Sequence, residues 1–153
     1  MAIGVEYGKL RVLSGTISDL PLVKRLYGQL SEDVSQVERD YMSIVNDPNS
    51  RCLILECGLD QVGMVILHLK SSLSLGRSMD ISEIVIDENH RNMGLGSFLM
   101  KHCMCMAKEM KVDSIALTCA LTNGSLHRFY ENLGFSCRMR QYSFIPQIDE
   151  SES

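Results

Sequence analysis

The chain has 153 residues, 45% of them hydrophobic and 22% charged, with a net charge of −4. That length supports one domain with a real core. The acidic balance, with no cluster of lysine or arginine, argues against nucleic acid as a partner. No apolar run approaches the about 20 residues of a membrane helix, and Met1-Ala2-Ile3-Gly4-Val5-Glu6 lacks the basic start and apolar centre of a signal peptide. A cytoplasmic protein without membrane contact is therefore expected.

The predicted elements alternate between strand and helix. Leu10 to Leu13 reads as a short first strand. Thr16 or Ser18 then caps a helix that tolerates Pro21 in its first turn and carries Leu22, Val23, Leu26 and Leu30 at helical spacing. A second helix is predicted from about Asp33 to Val45, stopped by Asn46-Asp47-Pro48-Asn49. Cys52 to Glu56 and Val62 to Leu69 read as strands joined by a hairpin turn at Gly58-Leu59-Asp60-Gln61. Ser71 to Ser78 reads as a polar loop, and Ile81 to Asp87 as the next strand. A long helix follows to about Met110, with Leu95, Phe98, Leu99, His102, Cys103, Met106 and Met110 on one face. Ser114 to Cys119 is a further strand. Gly124 to Asn132 is a short helix, closed at Leu133-Gly134-Phe135, where Gly134 suits a left-handed position. A last strand is expected within Arg138 to Ile145, before an acidic tail, 149–153, expected to be disordered.

The six cysteines could mark a disulfide scaffold or a metal site, and their spacing argues against both. Cys103 and Cys105 diverge by about 200° on a helix. Cys52 and Cys57 fall on opposite faces of a strand. Buried, reduced thiols and no metal are expected.

The chemistry concentrates at Arg91-Asn92-Met93-Gly94-Leu95-Gly96, between a strand and a helix. A glycine-rich turn there leaves backbone N–H groups free at a helix N-terminus, where they and the helix dipole suit a phosphate or pyrophosphate. A P-loop requires lysine and then serine or threonine after its second glycine; here Ser97-Phe98 follows, so that reading fails. A dinucleotide fold would carry its loop after the first strand, and this loop comes late.

A second motif, Asn123-Gly124-Ser125-Leu126-His127-Arg128-Phe129-Tyr130-Glu131-Asn132-Leu133-Gly134-Phe135, resembles the late helix of the GNAT acyltransferases. The loop at 91–96 matches the same family's acetyl-CoA pyrophosphate loop, and one helix and one strand separate the two motifs. The resemblance extends from about Leu10 through most of the chain, and the layout is also similar to small glucosamine-6-phosphate N-acetyltransferases. It implies one N-acetyltransferase domain over 1–148, with an α/β fold of a mixed, mostly antiparallel central sheet and helices on both faces.

The resemblance also implies roles. The loop from Arg91 through Ser97 would hold the acetyl-CoA pyrophosphate, with the backbone amides of Met93 to Gly96 as donors. The backbone of Ile84, Val85 and Ile86 would pair with the pantetheine arm as an added strand, which requires the strand to splay from Ser114 to Cys119. Asn123 would contact the pantetheine or hold the cleft. Tyr130 would protonate the leaving thiolate, although its aromatic neighbours equally suit a packing residue. An uncharged amine would attack the acetyl carbonyl directly, with the oxyanion held by a strand N–H.

The base is open between two carboxylates. Related enzymes carry it at positions matching Asp80 or Ser82, and this chain has serine at the second. Glu83 lies inside the apolar run, where burial demands a partner or a purpose, but it points away from the face of Asp80 and Ser82 unless a bulge intervenes. Glu83 and Asp80 therefore rank equally. His127 reads as a solvent-exposed helix residue and His102 as packed core. Glu32, Asp33, Glu38 and Asp40 could attract a cationic amine or simply form a solvated helix surface. The expected acceptor is a small-molecule primary amine. Glucosamine 6-phosphate and a protein lysine or N-terminus are alternatives, and a non-catalytic acyl-CoA sensor is a reading of another class. A homodimer is expected through an exposed sheet edge or through Met139 to Ile145.

Overall fold

The computed structural model describes residues 9–119 and 121–146. Two compact units divide the chain, the first ending at Thr118 and the second beginning at Cys119. The first holds a five-stranded sheet in the order β1-β2-β3-β4-β5. Strands β1 (Leu10–Ser14), β2 (Ser50–Cys57), β3 (Asp60–Ser72) and β4 (Gly76–Ile86) pair antiparallel, and β5 (Ser114–Leu117) runs parallel to β4. Helices α1 (Leu20–Tyr27), α2 (Val37–Asn46) and α3 (Leu95–Glu109) complete this unit.

The central strands are apolar almost without interruption because both faces are covered. On one face Cys52, Ile54, Met64, Ile66 and Val85 pack with Leu22, Val23 and Leu26 of α1 and Tyr41 of α2. The alternate residues Leu53, Leu55, Val65, Leu67, Met79 and Ile81 are buried on the other face. There α3, which contacts β4 and β5, supplies buried Leu95, Leu99, Met100, Cys103 and Ala107. Each fully buried side chain of leucine size contributes about 1.5–3 kcal/mol.

Several expectations are corrected. Helix α1 stops at Tyr27, so Leu30 lies beyond it and is exposed. Helix α2 begins at Val37 rather than Asp33. The Asp33 carboxylate accepts from both the amide and the hydroxyl of Ser35, at 2.9 and 2.6 Å, and this local turn competes with the helix. The expected loop from Ser71 to Ser78 is mostly hairpin, because the β3–β4 ladder continues to Ser72↔Gly76. On α3, Met100 and Ala107 are buried, while Phe98, His102, Met106 and Met110 are half-buried. Strand β5 ends at Leu117, two residues short of its expected end.

Not all the thiols are buried. Cys52 and Cys103 are, but Cys105 and Cys137 are exposed; none of the six is in a disulfide. Cys105 points outward because Cys103 points inward, about 200° away on the helix.

In the second unit α4 spans Gly124–Asn132 as expected, and Gly134 leaves it at φ 99°. No strand forms over 138–145, and Met139, Tyr142, Phe144 and Ile145 are exposed. A strand forms only where a neighbouring strand accepts its hydrogen bonds, and among the described residues the sheet holds β1 to β5 alone. The expected acidic tail lies outside the described residues.

Candidate active site

The decisive local feature is a bulge in β4. Leu67 pairs with Ile81, and the next residue of β3, Ile66, pairs with Glu83. Ser82 is therefore the extra residue, and it resets the alternation. Residues paired across an antiparallel ladder share a face. Asp80 pairs with His68 and Glu83 with Ile66, so the two carboxylates share the face covered by α1 and α2. Without the bulge Glu83 would face α3.

The two carboxylates have different surroundings. Asp80 is held by the Lys70 ammonium at 3.0 Å and the Ser78 hydroxyl at 2.8 Å. Glu83 is half-buried and accepts a short hydrogen bond from the Ser82 hydroxyl. Ser82 in turn contacts His68 Nε2 at 3.0 Å, and His68 Nδ1 contacts Ser50 Oγ at 2.8 Å.

The same strand offers a free edge. Pairing between β4 and β5 ends at Ile81↔Leu117, while β4 continues to Ile86. The stretch from Ser82 to Ile86 is thus bonded to β3 on one side, and its other side has no strand partner among the described residues. An extended ligand with its own amides could add there as a strand would. At the end of this edge the Arg91 guanidinium donates to the Ile86 carbonyl at 3.0 Å.

The loop that follows is held from beneath. Asp87, 6% exposed, accepts from Arg25 at 3.0 Å and from Gln29 at 3.2 Å. The Gln29 carbonyl oxygen accepts from the Glu88 amide at 2.9 Å. Burial pushes the Asp87 carboxyl up, but Arg25, Gln29 and the Asn89 amide outweigh it and hold the group below the usual range. Asn92 and Gly94 both adopt the left-handed region, at φ 63° and 78°. Gly94 is the N-cap of α3, and its lack of Cβ makes that conformation inexpensive. The first amides of α3, from Leu95 to Ser97, have no intrahelical acceptor and present the positive end of the helix dipole.

In the second unit, Asn123 Oδ1 caps α4 by accepting from the Leu126 amide at 3.2 Å. The Tyr130 ring is buried, edge-on to Phe129 at 5.1 Å and to Phe135 at 6.0 Å. Burial raises its pKa, and the neighbouring Cys119 adds to the rise. The phenol is therefore protonated at neutral pH. His127 is half-buried rather than exposed.

Three of the four acids near the first two helices are locally paired. Glu38 lies 3.9 Å from Lys24 and Asp40 3.1 Å from Arg39, while Asp33 bonds Ser35. Sequence reasoning missed Asp47, Ser50 and His68, which strand register joins to Ser82, and Arg25, Gln29 and Asp87, which join α1 to the loop. His68, a polar residue inside the apolar run Val62 to Leu69, was the one signal available. Among the described residues no group of histidine, cysteine and carboxylate side chains could hold a metal, and no helix is long and apolar enough to cross a membrane.

The family profile described as acetyltransferase (GNAT) matches residues 20–135, which include the β4 bulge, the loop and α4. The chain belongs to the GNAT acetyltransferase family. Among curated relatives, the N-alpha-acetyltransferase 30 of Dictyostelium discoideum is 30% identical over 104 residues, covering 68% of this chain and 56% of that protein. The Homo sapiens N-alpha-acetyltransferase 30 is 27% identical over 95 residues, covering 62% of this chain and 26% of its own length. The chain thus spans less than two thirds of the relatives it matches. Among solved structures, an aminoglycoside acetyltransferase from an uncultured soil metagenomic sample superposes with a TM-score of 0.78 at 14% identity, covering 95% of this chain and all of that one (100%). A Trypanosoma brucei acetyltransferase gives a TM-score of 0.74 at 22% identity, covering 90% and 99%. These structural likenesses establish the GNAT fold.

Proposed function

We propose that this GNAT protein transfers an acetyl group from acetyl-CoA to a primary amine by direct attack. The observation that carries the reading is the stretch of β4 from Ser82 to Ile86, whose side away from β3 has no strand partner among the described residues and which leads into the left-handed turn before α3. The residues fit the cosubstrate. The β4 edge suits the amide-bearing pantetheine arm, and the amides from Met93 to Gly96 suit the pyrophosphate, with Arg91, Asn92, Leu95 and Ser97 completing the loop. Bound acetyl-CoA supplies an activated thioester.

The chain's own residues supply the rest. Glu83 is the base that takes the amine proton, because the Asp80 carboxylate is already engaged by Lys70 and Ser78. A β4 amide beyond Ile81 stabilises charge developing on the carbonyl oxygen. Tyr130 is the acid for the departing thiolate, a role its burial supports by keeping the hydroxyl protonated. Asn123 shapes the start of α4.

For the acceptor, the names of the curated relatives favour the α-amine of a peptide chain. A small-molecule amine is the second reading, favoured by the structural likeness to an aminoglycoside acetyltransferase. The test is CoA release and acetyl incorporation with acetyl-CoA and four acceptors: peptides with free N-termini, the same peptides blocked, an aminoglycoside and glucosamine 6-phosphate. Acetylation confined to free N-termini supports the first acceptor. Tight acetyl-CoA binding without transfer to any amine would replace the enzyme by a sensor.

A further inference from the structure

Neighbouring residues of a regular strand point to opposite faces, so the side chains of Ser82 and Glu83 would not meet on an unbroken β4. The bulge re-aims them. The Ser82 hydroxyl donates a short hydrogen bond to Glu83 Oε2. Among the described residues no second partner holds the Glu83 carboxylate. Asp80 differs, since Lys70 and Ser78 both engage it. Ser82 is exposed and Glu83 half-buried, so an acceptor can reach both from solvent.

The hydroxyl is itself directed. A serine has one hydrogen to give. With that hydrogen on Glu83, Ser82 Oγ is the acceptor in its 3.0 Å contact with His68 Nε2. The ring N–H occupies one side of the oxygen and turns the hydroxyl hydrogen away from itself. The other acceptor within reach, the Ile66 carbonyl, lies at 3.4 Å and competes poorly. Strand register sets the ring in turn. His68 pairs with Ser50 of β2 on one side and with Asp80 of β4 on the other, and Ser50 Oγ lies 2.8 Å from Nδ1. Ser50 is 5% exposed and is tied to Asp47 Oδ2 at 2.6 Å. The ring is therefore held at both nitrogens. Three strands fix one hydroxyl, and that hydroxyl holds one carboxylate.

We propose that Ser82 and His68 are positioning residues for the base: Ser82 holds the Glu83 carboxylate in one rotamer, and His68 holds the Ser82 hydroxyl. The proposal rests on the reading of Glu83 as base. No proton moves along these contacts. With Oε2 tied to Ser82, Oε1 is the oxygen that faces the acceptor. The N–H bond of the ammonium breaks, the Oε1–H bond forms, and the electron pair left on nitrogen attacks the acetyl carbonyl. The Ser82 bond to Oε2 persists through that step. An unheld glutamate samples several staggered wells. Proton transfer needs a rotamer that sets Oε1 within hydrogen-bond reach of the amine. Holding that rotamer before the acceptor arrives removes the unproductive ones from the barrier.

Two measurements test the positioning. The first needs no turnover: three-bond coupling constants of the Glu83 side chain, which report its rotamer populations, are compared in wild type, Ser82→Ala, Ser82→Thr and His68→Phe. Wild type and Ser82→Thr are expected to show one dominant rotamer. Ser82→Ala and His68→Phe are expected to show averaged values. Couplings in Ser82→Ala that match wild type overturn the proposal. The second is steady-state kinetics on an acetylated amine. Ser82→Ala is expected to lower kcat by about 10–100-fold, the scale of a reacting group displaced by about an ångström, with KM for acetyl-CoA unchanged and Ser82→Thr restoring the rate. In a Glu83→Gln background Ser82→Ala is expected to add no further loss, because the group it positions is gone. Losses that add in full show that Ser82 acts on something else and overturn the proposal. An inactive Glu83→Gln beside a fully active Ser82→Ala overturns the positioning and leaves the base. Full turnover by Glu83→Gln overturns the base and its positioning together.

Discussion

Asp87 offers a quantitative test of how α1 holds the loop. Its carboxylate is 6% exposed and accepts from Arg25, Gln29 and the Asn89 amide. The Asp87→Asn variant keeps the shape and one acceptor but sets an amide group toward the Arg25 guanidinium. A hydrogen bond to a charged group contributes about 1.5–3 kcal/mol, and Arg25 is half exposed and can turn to water, which reduces its share. Together with the weakened Gln29 bond, a loss of about 2–3 kcal/mol at pH 7 is expected. For a chain of this size that corresponds to about 4–12 °C in Tm. The pH dependence has a definite sign. The folded-state pKa of Asp87 is depressed, so its contribution is complete above the unfolded value of about 3.9 and is lost as pH falls through the lower folded value. Urea unfolding of both proteins from pH 7 downward is therefore expected to show a gap that closes below about pH 4. Equal stability at pH 7, or a gap undiminished in acid, would refute this account of the clamp.

Three further outcomes are expected. Gly94→Asp forces a Cβ into the left-handed region and sets a negative charge at the helix N-terminus, so calorimetry should find acetyl-CoA binding abolished while the fold persists; wild-type-like affinity would remove the loop from the site. Tyr130→Phe deletes one hydroxyl and leaves the ring packing, so kcat should fall by about 10²–10⁴-fold with little change in acetyl-CoA affinity, and full turnover would discard Tyr130 as the acid. Cys105 and Cys137 are exposed, whereas burial pushes the Cys52 and Cys103 thiols up to about 11; alkylation of the native protein near neutral pH should modify the first pair and spare the second until the chain is unfolded, and rapid labelling of Cys103 would contradict the packing of α3.

The sequence determined what local rules govern. The 3.6-residue period, the breaker at Asn46 to Asn49 and the left-handed Gly134 located α1, the end of α2, and α4, because helices and their ends are set by residues close together in the chain. The paired motifs around Gly94 and Tyr130 likewise carried the family resemblance. Tertiary structure decided what depends on a partner strand. Met139 to Ile145 holds strand-favouring Tyr142, Phe144 and Ile145 but pairs with no strand among the described residues. The face that Glu83 presents, shared with Asp80, turned on one extra residue, Ser82. Period-two alternation cannot reveal a bulge, since the register is fixed by the opposite strand, and only that register brought Asp47, Ser50 and His68 into line with Glu83.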